Sequence, residues 1–183
     1  MSQCSVRFFA DGVGGNSPVN QGPFANSAFD RLRILEKYKR IGMVGLSSNP
    51  FRPSHFAAIY LISEGYEVIP VNPRESQVIG RTCYPSLTAI SGPVEVVNIF
   101  REPAAVPAIV EEAIAIGAKV IWMQLGVIHE GAAERARAAG LEVVMDRCMK
   151  IEHARFFGGL NTIGMNTGLI TSQRRGRRYP AAR

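Results

Sequence analysis

The segment VGLSSNPFRPSHF, Val44 to Phe56, holds the first residues of this chain whose types and spacing suit work on an anion. A short apolar run, RIGMVG, stops at a glycine. Small polar residues follow, then Arg52, Pro53 and a stretch of helical character. Backbone N–H groups of such a loop, the Ser47 and Ser54 hydroxyls, and the positive end of a helix starting at Pro53 together suit a phosphate. The loop has neither the GxGxxG of a dinucleotide fingerprint nor the Gly-Lys-Ser/Thr of a Walker loop. Taken alone, it also reads as an ordinary strand-to-helix turn.

A second segment, VNPRES from Val71, narrows the chemistry. A typical NAD enzyme places an acid there to accept hydrogen bonds from the adenosine ribose. Here Asn72 and Arg74 stand near that position, with Glu75 beyond. An arginine favours a phosphorylated ribose, which fits NADP through its 2′-phosphate or coenzyme A through its 3′-phosphate. Asn72-Pro73 also suits a plain turn. Arg52 and Arg101 can add guanidinium contacts to a pyrophosphate on the same rim.

Constellations for bond making are scarce. His55, His129 and His153 share no metal-ligand spacing, and the first two fall at helix starts, where a local role is expected. No GxSxG elbow occurs. Cys4, Cys83 and Cys148 lie far apart without a CxxC pair, which argues against a zinc site and a disulfide framework. Cys148, in DRCMK, reads as a small inert residue rather than a reactive thiol. No residue is assigned a catalytic role.

The elements that must position these residues follow one recurring pattern. GYEVIPV, GAKVIWM and GLEVVM each run glycine, apolar or aromatic residue, charged residue, apolar run. The glycine suits a left-handed helix C-cap and the run suits a buried parallel strand. VEVVNIF adds a further strand. Between them, PSHFAAIYLISE opens with Pro53, a favoured first-turn residue. VPAIVEEAIAI places Val106, Ile109, Val110, Ala113 and Ile114 on one helical face, with Pro107 tolerable only in the first turn. HEGAAERARAA is a further helix, and FDRLRILEKY predicts a short one with Asp30 as N-cap. The pattern predicts an α/β fold: a Rossmann-like open parallel sheet of about five strands with helices on both faces. Ligands of such sheets bind beyond the carboxyl ends of the strands. The loops there read GLSSNPFRPS, NPRES, FREP, QLG and DRCMK.

The 183 residues, 46% of them hydrophobic, suit one domain with extra segments at its ends: a Gly/Asn/Ser-rich leader over 1–29, a domain over 30–157 and an irregular Arg-rich tail over 158–183. The net charge of +6 is misleading as a nucleic-acid signal, because residues 174–183 carry five arginines and no acid, leaving +1 for the rest. Nucleic acid is therefore expected, if at all, only through that tail. No apolar run approaches the roughly 20 residues of a membrane span, and the first residues lack a secretory h-region, so a cytoplasmic location is expected.

Together, VGLSSNPFRPS, GYEVIPVNPRES with the following IG and CYPSL, VEVVNIFREPAAVPAIVEEAIAIGAKVIWMQLGV and GLEVVMDRCMKIEHAR resemble the stand-alone coenzyme A-binding protein family. Its domain is similar to the N-terminal domain of the succinyl-coenzyme A synthetase alpha subunit. The resemblance runs from about Tyr38 to about Phe156. It implies that Gly45, Ser47, Asn49, Arg52 and Ser54 surround the ligand's phosphates. Val71, Asn72, Pro73 and Arg74 would flank the adenosine end, Phe100 and Arg101 cover the middle, and Gln124 and Gly126 line the rim below the pantetheine. The synthetase's phosphorylated histidine and ATP-grasp partner have no counterpart after Phe156, so the resemblance implies binding of coenzyme A or an acyl-coenzyme A without catalysis. The alternatives are an NADP-linked oxidoreductase and a ligand-controlled regulatory protein acting through the arginine tail. The Phe156–Phe157 pair suits either a second subunit of a homodimer or closure of the domain's own sheet.

Overall fold

The computed structural model describes residues 27–158. Helix α1, Ala28–Lys37, leads into strand β1, Arg40–Val44, and helix α2, Pro53–Ser63. Strand β2, Glu67–Val71, is followed by a small antiparallel hairpin of β3, Gln77–Val78, and β4, Arg81–Thr82. Then come β5, Val96–Ile99, α3, Val106–Ala115, β6, Val120–Met123, α4, Glu130–Ala138, β7, Glu142–Val144, and α5, Met149–Phe157. The five long strands form one parallel sheet in the order β2-β1-β5-β6-β7. This is the predicted Rossmann-like architecture, and its order reverses direction between β1 and β5.

Strand alternation sorts the core into two layers. Ile69, Val97, Ile99, Ile121, Met123 and Val143 pack on one face with Val106, Val110 and Ala113 of α3 and Ala133 and Ala136 of α4. Ile41, Met43, Val68, Val96, Val120 and Trp122 pack on the other with α1, α2 and α5. Helices therefore cover both faces, as predicted. The sheet-facing residues of α3 are those its 3.6-residue periodicity selects, and Pro107 sits in the first turn. Gly42 lacks a side chain for a packing reason: a Cβ there would lie 3.0 Å from both Leu87 and Val94.

Two local expectations change. Asp30 is not the cap of α1. Ser27 is the N-cap and Asp30 stands at the third helical position, where the two form a reciprocal capping box. The helix thus starts at Ala28, within the stretch assigned to the leader. The β3–β4 hairpin was absent from the expected elements, because two-residue strands carry no periodicity to read. Phe156 and Phe157 pack against the chain's own α1–α2–α5 face. The remainder of the leader, the Arg-rich tail and Cys4 lie outside the described residues.

The α5 helix is tied down by buried polar groups. Glu152 accepts from Arg31 of α1 at 2.9 Å and pairs with Arg155 at 3.3 Å. His153 is 5% exposed, shares a 3.0 Å hydrogen bond with the Tyr60 hydroxyl and is ringed by Tyr60, Tyr66 and Phe157. Burial, and secondarily the Lys39 charge, lowers its pKa to about 4. The unfolded chain takes up that proton near pH 6.5 and the folded one only near 4, so stability falls as pH drops through this window. The loss attributable to His153 is on the order of 3 kcal/mol. Urea unfolding at pH 7 and pH 4 should show it in the wild type, and His153→Phe, which keeps a ring but cannot titrate, should lose that much less between the two.

Candidate functional site

The site begins where the central strands end. Val44 accepts from the Phe100 N–H at 2.8 Å, while the Gly45 N–H turns the other way to the Val71 carbonyl at 2.9 Å. Beyond this point the chain after β1 rises into α2 on one face, and the chain after β5 leads into α3 on the other. A crevice opens between them, as it does where strand order reverses in doubly wound sheets. Gly45 has φ +85°, and a Cβ there would sit 2.7 Å from the Phe100 carbonyl oxygen. Glycine is needed for both conformation and space.

The crevice has a volume of about 640 Å³ and is lined by Gly45, Ser47, Arg52, Ser54, Asn72, Arg74, Phe100 and Arg101, with Pro53, Glu75 and Glu102. Its first wall is the loop between β1 and α2. Leu46 is buried and anchors it. The Ser47 N–H donates to Ser54 Oγ at 3.3 Å, and the Ser47 carbonyl lies 2.9 Å from His55 Nδ1. Asn49 donates from its N–H to Ser47 Oγ and accepts from the Phe51 N–H at Oδ1. No side chain caps α2, whose N-terminal residues Pro53 and Ser54 face the crevice. That end of the helix carries partial positive charge.

Asn72 joins the second wall to the first. Its Nδ2 donates to the Leu46 carbonyl at 2.9 Å, and its Oδ1 accepts from the Arg74 N–H at 3.1 Å. The Asn72 backbone N–H and the Tyr84 N–H form a two-bond ladder between the end of β2 and the hairpin's exit. The Asn-Pro turn and the proposed contact residue are thus the same device.

Charge is concentrated here. Arg52, Arg74 and Arg101 share the lining of the crevice with Glu75 and Glu102. Glu102 accepts from Arg101 at 3.1 Å. Its carboxyl is held below the usual range by its own backbone N–H first, then by Arg101 and, more weakly, Arg74. Glu75 Oε1 accepts from both the Ser48 hydroxyl, at 2.8 Å, and the Ser48 N–H, at 3.2 Å. No carboxylate among the described residues pairs with Arg52 or Arg74.

A narrower apolar slot of about 220 Å³ adjoins the crevice through the shared residues Gly45 and Arg101. Val71 and Pro73 line this slot, with Leu87, Ala105 and Ile109. The family resemblance implied those first two residues at the adenosine end without separating the two spaces.

Three of the expected site residues do not line this crevice. Asn49 shapes the loop from within rather than lining the crevice. Gln124 is 4% exposed and donates from Nε2 to Asn98 Oδ1 at 2.6 Å beneath the strand ends. Gly126 donates its N–H to Asp146 at 2.8 Å, over the β6–β7 edge. The three histidines have structural partners: His55 and His153 as above, and His129 as the N-cap of α4, accepting from the Ala132 N–H. Among the described residues, no group of three His, Cys, Asp or Glu is placed to hold a metal ion, and no helix is long and apolar enough to cross a membrane. Cys148 is the half-buried N-cap residue of α5.

The profile of the family described as CoA binding domain matches residues 39–154. An uncharacterized protein, YneT, of Bacillus subtilis (strain 168) is 40% identical over 121 residues, which are 66% of this chain and 90% of that protein. Among solved structures, a hypothetical protein from Pyrococcus horikoshii OT3 is 42% identical, with a TM-score of 0.70 over 71% of this chain and 92% of that one. The dinucleotide-forming acetyl-coenzyme A synthetase 1 of Ca. Korarchaeum cryptofilum is similar in fold, at 22% identity and a TM-score of 0.56, over 63% of this chain and 28% of its own.

The crowding at Gly45 sets a stability expectation. Gly45→Ala forces a side chain into the left-handed region and against the Phe100 carbonyl, so it should cost about 2–4 kcal/mol. Chemical denaturation would measure this, with the exposed Gly140 as a comparison: it shares the positive φ but a Cβ there meets nothing within 4 Å.

Proposed function

This chain belongs to the CoA binding domain family, and we propose that it binds coenzyme A or an acyl-coenzyme A in the crevice between β1 and β5, as a binding protein rather than an enzyme. The observation that carries the reading is the pairing of a polar, arginine-lined crevice with an apolar slot at one topological switch point. A 3′-phospho-ADP group has that dual character, with several phosphate charges and a flat apolar base.

In this reading the loop Gly45–Arg52 and the start of α2 receive the pyrophosphate. Arg74, presented by the Asn72 turn, receives the 3′-phosphate. The base enters the slot beside Val71 and Pro73. Phe100 and Arg101 cover the middle of the ligand, and the pantetheine runs across the ends of β5 and β6 toward Gln124 and Gly126. The arginines act by charge-assisted, bidentate hydrogen bonding, which a lysine does not reproduce. The crevice's carboxylates, Glu75 and Glu102, are each engaged by a donor rather than paired with a neighbouring base, which favours holding a ligand over moving protons.

Arg74 also suits the 2′-phosphate of NADP, and titration calorimetry with coenzyme A, acetyl-coenzyme A and NADPH side by side separates the two. The expected result is binding of a coenzyme A species with a loss of roughly 10- to 100-fold on Arg74→Ala, the range of one charged hydrogen-bonding partner. The same substitution should leave dephospho-coenzyme A affinity nearly unchanged. Saturation by NADPH without coenzyme A binding would overturn the assignment.

A further inference from the structure

The phosphate-ready loop already holds an anion of its own. The N–H groups of Ser47, Asn49 and Phe51 donate to neutral side-chain oxygens within the loop or the start of α2. Ser48 differs. Its N–H and its hydroxyl both converge on one oxygen of a charged group, Glu75 Oε1. Two donors aimed at one point from a loop at a helix N-terminus make the arrangement that receives a phosphate oxygen. Glu75 reaches it because the Asn72 turn fixes the chain before it: the Glu75 N–H donates to the Asn72 carbonyl at 3.3 Å. The carboxylate therefore comes from the wall that carries Arg74 and lands on the opposite wall.

From this geometry we infer that Glu75 is a resident competitor for the ligand's phosphate: its carboxylate occupies the Ser48 donors and must leave them when a phosphate arrives. The inference rests on the coenzyme A reading of the crevice and adds to it a mechanism that sets affinity. A carboxylate facing a polyanion costs binding energy twice, once through the hydrogen bonds given up and once through like-charge repulsion across the crevice. It also gives the Ser48 donors a partner within the chain, so they are neither unpaired nor free to collapse onto another group. Binding then exchanges one anion for another at Ser48 and swings Glu75 out of the crevice. The cost of that exchange sets the affinity below what three arginines and a helix terminus would otherwise give.

The test is titration calorimetry of the full chain with coenzyme A and with adenosine 3′,5′-bisphosphate, using wild type, Glu75→Gln and Glu111→Gln. Glu111 pairs with Arg135 between α3 and α4, away from the crevice, and removes the same formal charge. The expected result is at least fivefold tighter binding of both ligands by Glu75→Gln, with Glu111→Gln within twofold of wild type. Unchanged or weaker binding by Glu75→Gln would overturn the inference and make Glu75 a loop brace or a ligand contact. Equal gains in both variants would also overturn it, in favour of long-range charge alone. Wild-type protein that binds neither ligand removes the coenzyme A reading itself, a result distinct from a wild type that binds and a Glu75→Gln that does not improve.

Discussion

The parting of two backbones at the top of the sheet is the constraint on which the rest depends. At Val44–Gly45 the central chain divides its hydrogen bonds, its carbonyl going to Phe100 on one side and its next N–H to Val71 on the other. No atom larger than hydrogen fits between Gly45 and the Phe100 carbonyl. That contact keeps β1 and β5 together until their last residues. The following loops then separate toward opposite faces, because α2 and α3 belong to opposite layers of the core. The crevice is the space left by that separation. Its floor is rigid because it is sheet, and its walls can carry unrelated residues because they are loops.

The walls are held in register by a few polar bonds rather than by apolar packing. Asn72 ties the loop after β2 to the loop after β1 through the Leu46 carbonyl, and Leu46 is itself buried beneath. The same side chain orients Arg74. One asparagine therefore ties the two walls together and pins the backbone from which Arg74 extends. Deeper, Gln124 and Asn98 form a buried amide pair, and Asn98 Nδ2 is left without a partner among the described residues.

The fold was legible because its strands repeat one grammar. Gly65, Gly117 and Gly140 all have positive φ at helix ends, and each apolar run after them is buried on both faces. The loops were legible as a rim because strand ends in a parallel sheet converge. The contents of the rim were less so. Gln124, which the resemblance implied on the rim below the pantetheine, continues the alternation of Val120 and Trp122 and is buried. Period-two reading carried one residue further would have shown this. Ser27 was missed as a cap because it lies outside the apolar periodicity of α1. Glu75 escaped the sequence reading because its role arises only when two loops distant in sequence meet. No spacing rule reports that Ser48 and Glu75 touch.

That contact changes how the charge of the site should be counted. Three arginines in a crevice suggest strong attraction for any polyanion. Here one of them, Arg101, is engaged by Glu102, and the backbone donor best placed for a phosphate oxygen is engaged by Glu75. Arg52 and Arg74 then carry the unpaired positive charge, one at the helix N-terminus and one at the end of β2. A ligand that spans both, with phosphates separated by a sugar and an apolar base for the slot, gains from both arginines at once. The carboxylates thus sharpen the preference for an extended nucleotide over a simple phosphate, because only the extended ligand gains enough contacts to offset the exchange at Ser48.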